Sequence, residues 1–388
     1  MNPLLCLALA GATCGTDVPV STPAEFAAAL AAVGPGDRIL LAPGTYAGDF
    51  YARRLDGTAS APITITAANP ASPPVLQPVN TGLHLAGASY VVLDGLVVSG
   101  FADNGLNIDD DGDFDRPSHH IELRNLLVTG TSPGGNCDGI KLSGVDDARL
   151  LNCTVERWGA WGSGVDMVGC HRVLVGSCLF RLGGFNGVQV KGGSSQVRVA
   201  GCRFDTAGER AVQAGGSTEA AYFRPRLETV PAGQRSEARD ILVEGNVNAR
   251  SEAAVACCTA DGVTVRLNTV YRPGKYFLRI LQETTDPTFL PCRGGVVTDN
   301  LVVFRSASWW AGGVNVGVLT APQTFGFARN AWYCEDAPGS SAPGLPTPEV
   351  EGVIGRDPRF NNPANDNFRP RDRGATAGKG YTAFRRDW

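Results

Sequence analysis

The stretch DGIKLSG (138–144) with RLLNCTVERWG (149–159), SGVDMVG (163–169) with VLVGSCLFRLGG (173–184), and NGVQVKGG (186–193) with VRVAGCRFDTAG (197–208) states one two-part phrase three times. Within each part aliphatic residues alternate with polar ones, and glycine closes the run. Alternation at period two marks strands, and the glycines mark the turns that end them. The phrase continues in both directions. GLNID (105–109) with IELRNLLVTG (121–130) precedes it, and RAVQAGG (210–216) with ILVEGNVNAR (241–250), then AAVACC (253–258) with VTVRLNTVYRPG (263–274), follow.

Aligned on the second part, one column reads Gly95, Asn125, Cys153, Cys178, Cys202, Asn246, Asn268, Asn300 and Asn330. Four of its steps are 28, 25, 24 and 22 residues long, a period that signals stacked coils. Asparagines and small residues suit a tight inward turn where stacked amides bond along the axis. Helical repeats of this length would need amphipathic runs at period 3.6, which these segments lack. The expected fold is therefore all-β: a single-stranded, right-handed parallel β-helix. TPAEFAAALAAV (22–33) is a short amphipathic helix able to cap the open edge of the first coil, DRILLAPGTY (37–46) supplies the first strand, and DPRFNNPANDNFRPRDRGATAG (357–378) forms a loop-rich closing segment. No linker divides the chain, so residues 17–388 are expected to form one solenoid domain acting as a monomer.

Composition narrows the function. The 49 glycines and 25 prolines fit many turns and few long helices, and a net charge of −4 without a basic cluster excludes a protein built to coat nucleic acid. Eleven cysteines would suggest disulfides, but Cys153, Cys178 and Cys202 stack in one column and point the same way, so they read as small buried hydrophobes. Zinc has no CxxC or paired-His spacing to use. Residues 1–14, MNPLLCLALAGATC, resemble the end of a secretory signal. Residues 1–16 are accordingly set apart, and a secreted or periplasmic location is expected. No later stretch is long and apolar enough to span a membrane.

Alternation also says which side chains leave the core. Asn107, Lys141, Asp166, Gln189 and Gln213 should form one outward ladder, and Asp109, Ser143, Val168, Lys191 and Gly215 its neighbour, with Asn104, Asp138, Ser163, Asn186 and Arg210 at the strand starts. Such a face is often merely solvated, but this mixture can hold a carboxylate-bearing sugar with a general base beside it. The long segment 217–238, carrying Tyr222, Arg224 and Arg226, could wall one side of the groove. DDDGDFD (109–115) sets five carboxylates around a glycine. Through Asp109, Asp111 and Asp113 it suits Ca2+, or it is an acidic solvated loop. His119 and His120 occupy adjacent strand positions that face opposite sides, which makes them structural.

The helix followed by PGDRILLAPGTY, the coils and the DPRF ending together resemble the right-handed parallel β-helix proteins of the pectate-lyase-like superfamily, over nearly the whole chain. That resemblance implies an acidic, uronic-acid-containing polysaccharide as partner. It leaves the activity open between lyase, hydrolase, uronate epimerase and non-catalytic surface protein. For β-elimination, Lys191 is the preferred base and Lys141 the second. Arg210 and Gln189 would neutralise the carboxylate, and Tyr222 would protonate the leaving oxygen. Asn107, Gln213 and Arg224 complete the binding face, with Ca2+ as the only cofactor the resemblance brings. For hydrolysis, NCDGI (136–140) and VQVK (188–191) loosely match segments of pectin-hydrolysing relatives, with Asp138 and Asp166 as acid and base and His171 orienting one of them; the adjacent aspartate pair of those enzymes is missing from the GVDMVG coil. For binding alone, Trp158, Trp161, Trp309 and Trp310 could stack on sugar rings or pack within loops.

Overall fold

The computed structural model describes residues 15–130 and 134–388. The segment read as a secretory signal falls almost wholly on residues 1–14, outside the described residues. Three parallel sheets of 15, 10 and 12 strands run along the chain, and strands of successive coils pair in sequence order. This is the parallel β-helix expected. The aliphatic residues of the repeat fill the interior: Val165, Val188 and Val212 are buried neighbours on successive strands of the ten-stranded sheet.

The N-terminal cap is built as its sequence suggests. The Thr22 hydroxyl accepts from the Glu25 backbone N–H, and Glu25 reaches back to the Thr22 N–H, both at 3.2 Å, which fixes the start of helix Pro23–Ala32. The helix buries Phe26, whose ring packs on Phe50 at 4.7 Å. One strand comes earlier than expected: Asp17–Val20 pairs in parallel with Arg38–Leu41, so the latter is the second strand. At the other end, the closing segment carries an antiparallel hairpin, Phe360–Asn362 with Asn367–Pro370. Phe368 of that hairpin packs against Val247, Tyr271 and Val303 on the outside of the solenoid.

The inward turn column is real, but it contains two registers one residue apart. Cys153, Cys178, Cys202, Asn246, Asn268, Asn300 and Asn330 are buried. Asn125 and Gly95 belong to the preceding corner, where Asn125, Asn152, Ser177, Gly201 and Gly245 all have φ between 55° and 63° and Gly95 has 71°. The inner partners of the stack in those two coils are Leu96 and Leu126. Along the inner column the Asn246 Nδ2 donates to Asn268 Oδ1 at 3.0 Å, Asn268 to Asn300 at 3.0 Å, and Asn300 to Asn330 at 2.9 Å. Glu349 ends the ladder by accepting from Asn330 at 3.1 Å. All nine described cysteines are buried and free. Among the described residues, no helix is long and apolar enough to cross a membrane.

Candidate functional site

The outward ladder forms in the expected register. Asn107, Lys141, Asp166, Gln189 and Gln213 are successive partners in the ten-stranded sheet, and Val168 pairs with Lys191 beside them. A groove of about 740 Å³ lies on this face. Its floor includes Lys141, Ser143, Val168 and Lys191, and segment 217–238 forms a wall through Ser217, Thr218, Tyr222 and Arg224.

At one end of the floor Lys141 and Lys191 meet two buried aspartates, Asp138 and Asp166, in a cluster of four ionisable groups. Lys141 Nζ bonds Asp166 Oδ2 and lies 3.5 Å from Asp138 Oδ2, while Lys191 Nζ lies 3.5 Å from the same Asp166 oxygen. Both aspartates are 3% exposed although they leave the core. The Ser163 backbone N–H donates to Asp138 at 2.7 Å. Burial, reinforced by the Asp166 charge, raises the Asp138 pKa to about 7 against the opposing pull of Lys141. Burial pulls the Lys141 ammonium down, but Asp166 and Asp138 outweigh it and raise its pKa. Lys141 therefore holds its proton too firmly to serve as the second candidate base, and it stands as a fixed cation instead. Gln189 sits alongside, accepting from Ser163 and Asn186 at 3.3 and 3.2 Å.

Other expected residues have different duties. Arg210 is buried, bonded to Gln213 and, at 2.7 Å, to Glu283, so it is committed to that carboxylate and not free for a substrate's. Gln213 is 1% exposed and spends its amide on Gly215 O and Glu283. Arg224 grips Asp110 through two bonds of 2.5 and 2.9 Å and lies over the Phe114 ring at 4.1 Å, which clamps the groove wall to the body and removes Arg224 from substrate binding. Tyr222, 56% exposed, does line the groove. His171 lies at another corner, bonded to Ser195 Oγ at 2.9 Å, and contacts neither aspartate it was expected to orient.

The carboxylates of the acidic loop, read as suited either to Ca2+ or to solvent, are engaged by neighbouring groups. Asp109 accepts from His84 at 2.7 Å and from Asn107 at 2.9 Å, Asp111 is paired with Arg53, and Asp113 caps the Asp115 N–H. Among the described residues, no three His, Cys, Asp or Glu side chains converge to hold a metal ion. His120, at φ 54°, breaks the strand alternation, so its ring meets that of His119, with the Nδ1 atoms 2.9 Å apart, where opposite faces were expected. Of the four tryptophans, Trp158 is buried and Trp309 stacks on Phe304, leaving Trp161 and Trp310 exposed.

Sequence reasoning missed His84, Tyr51 and Glu237. The signal for His84 was present: GLHLAG (82–87) has the alternation of GLNID and places His84 in the Asn107 column. Tyr51 pairs with His84 one strand earlier. Glu237 carries no repeat signal. Fully buried, it accepts from the Gly192 and Thr218 N–H groups and from the Thr218 and Thr284 hydroxyls at 2.6–3.0 Å.

Residues 81–223 match the family described as the right handed beta helix region. No curated protein matches the chain in sequence. Among solved structures, an alginate lyase from Paenibacillus sp. str. FPU-7 is similar at 17% identity and a TM-score of 0.56, over 80% of this chain and 99% of that one. Pectate lyase Pel9A is similar at 15% identity and 0.55, over 80% of each chain. An endo-xylogalacturonan hydrolase from Aspergillus tubingensis is similar at 12% identity and 0.51, over 86% of this chain and 96% of that one. At these identities the likeness establishes the fold: this chain is a right-handed parallel β-helix.

Proposed function

We propose that the chain is an extracellular carbohydrate-active protein that binds an acidic, uronic-acid-containing polysaccharide in the groove and cleaves it by β-elimination. The observation that carries this reading is the meeting of the Lys141 and Lys191 ammonium groups on one carboxylate, Asp166, at the groove floor. When Asp138 keeps its proton, two positive charges face one negative charge, and the surplus is available to a uronate carboxylate. A carboxylate so neutralised makes the neighbouring C–H acidic.

In the step proposed, Lys191 first passes its surplus proton to the uronate carboxylate, which neutralises it, and the amine so formed takes the proton on the carbon beside that carboxylate. That C–H electron pair becomes a carbon–carbon double bond, the glycosidic C–O bond breaks, and the leaving oxygen takes a proton from Tyr222 or water. Lys191 suits the base better than Lys141 because a single contact of 3.5 Å holds it. The structural likeness to two polysaccharide lyases supports the reading by analogy of fold. The proposed step uses only this chain's own groups and water.

One observation favours a second reading. An aspartic acid with a pKa near 7 beside a second aspartate, as in Asp138 and Asp166, is the pairing a hydrolase needs. The two readings separate in one experiment: a panel of uronic-acid polymers followed by ultraviolet absorbance of the unsaturated product and by a reducing-end assay, with and without chelator. Elimination gives both signals, and the rate is unchanged by chelator. Reducing ends without absorbance would transfer the chemistry to the aspartates. Neither signal on any polymer would leave epimerisation or glycan binding and remove the lyase reading.

A further inference from the structure

We infer that the groove is blind at its Lys191 end, so that the polymer is engaged from a chain terminus and not along its length; this rests on the polysaccharide reading above. The groove floor draws residues from six consecutive strands, from Tyr51 on Phe50–Arg53 to Lys191 on Asn186–Lys191. At the spacing of parallel strands that is a path of about 24 Å. At its start Tyr51 is open to solvent. At its end the ladder continues in register, but nothing can reach it. Gln213 and Ala256, the next outward positions, are 1% and 0% exposed.

The cover has a definite construction. The backbone at Gly216 crosses directly over the face: a Cβ there would stand 3.0 Å from Gln189 Nε2 and 3.5 Å from Lys191 Cδ. Glu283 lies over Gln213 and Arg210. The two covering pieces are joined, since Thr284 Oγ1 donates to Glu237 at 2.6 Å and lies 3.2 Å from Gly216 O, and Glu237 also holds Thr218. The buried Glu237 carboxylate is thus the knot of a roof, and the proposed elimination does not use it. Beyond the roof the face becomes accessible again at Arg279 and Asn315. The roof therefore interrupts an otherwise continuous outer face immediately after the charged cluster.

A chain terminus must then lie against the roof, with the rest of the polymer running toward Tyr51. The test is calorimetric binding of oligouronates of increasing length to the intact protein, each prepared free, with a bulky aromatic amine on the reducing end, and with a bulky group on the non-reducing end. The expected result is that affinity stops rising once the groove is filled, and that a bulky group at one terminus weakens binding at least about tenfold while the other terminus tolerates it. Equal binding of both blocked forms, or tight binding of a polymer blocked at both ends, would overturn the blind groove while leaving the polysaccharide reading in place. Absence of binding by every free oligouronate would overturn both.

Discussion

Lys191 and Arg210 begin as equivalents: both are cations placed on the outer face by adjacent strands of one sheet, one at the end of its strand and one at the start. One lies in an open groove. The other lies under the roof that Glu283 and Gly216 make. The coil repeat decides the direction in which a side chain leaves the core, whereas the excursions between strands decide whether water or a substrate ever reaches it. This separation of roles should be visible in variants. Lys191→Ala is expected to lower elimination by about 10^2- to 10^4-fold, the range for loss of a general base, with an unchanged melting temperature. Arg210→Ala is expected to do the reverse: it strands Glu283 and Gln213 and costs about 3 kcal/mol in chemical denaturation, with the rate per folded molecule kept within a few-fold. If Arg210→Ala folded normally and lost activity, the roofed coil would belong to the site after all.

The inner face offers the same contrast without solvent. Cys178 and Asn300 occupy the same column, but the cysteine makes sulfur contacts of 3.4–3.5 Å with carbonyls, while the amide makes a 2.9 Å bond to the Val265 carbonyl and links its neighbours in the ladder. Removing the amide leaves buried groups unpaired. Asn300→Ala should therefore cost about 3 kcal/mol and Cys178→Ala about 1 kcal/mol in urea unfolding. Equal costs would mean that the ladder stabilises only by filling space.

A smaller effect separates Asp138 from ordinary surface carboxylates. Its folded pKa lies near 7 against the usual 3.8, so between those values the folded protein binds a proton that the unfolded chain has lost. Stability contributed by the protonated acid is then lost as pH rises through this window, with no further change above it. Asp138→Asn cannot ionise. Its melting temperature should gain on the wild type from about pH 4 upward and level off above about pH 7. A constant difference across that range would place Asp138 in contact with solvent and remove it as an acid held protonated beside Asp166.

Most of the fold was legible because a β-helix repeats its instructions. The ladder from Asn107 to Gln213 follows from alternation alone, since a slip of one residue would turn every valine outward. The charged cluster was half legible: its members could be named, but not that Lys141 and Lys191 share Asp166, because that depends on which way long side chains lean between coils. The partners of Arg210, Arg224 and the acidic loop were not legible, for one common reason. Each is a charged group whose partner, Glu283, Asp110, or His84 with Arg53, lies on a different coil or excursion, with a sequence separation no repeat encodes. Opposite charges in contact satisfy each other before any ligand arrives.

The last contrast concerns register within one turn. By sequence Asn125 aligns with Asn300, yet it stands one position earlier, at φ 55°, with its amide exposed and bonded to Asp94 at 2.8 Å. Its coil fills the inner position with Leu126 instead. The left-handed corner tolerates asparagine and favours glycine, while the added freedom of glycine in the unfolded chain acts in the opposite direction. Asn125→Gly is therefore expected to change stability by no more than about 0.5 kcal/mol, as for surface substitutions generally. Leu126→Ala, in contrast, should cost about 2–4 kcal/mol as a buried leucine truncation. Had the two asparagines been equivalent, the order would be inverted, because a ladder amide would be lost at 125 and only an exposed side chain at 126. Measuring both variants by urea unfolding thus tests the turn register directly, and with it the inward or outward assignment of every residue that follows in the coil.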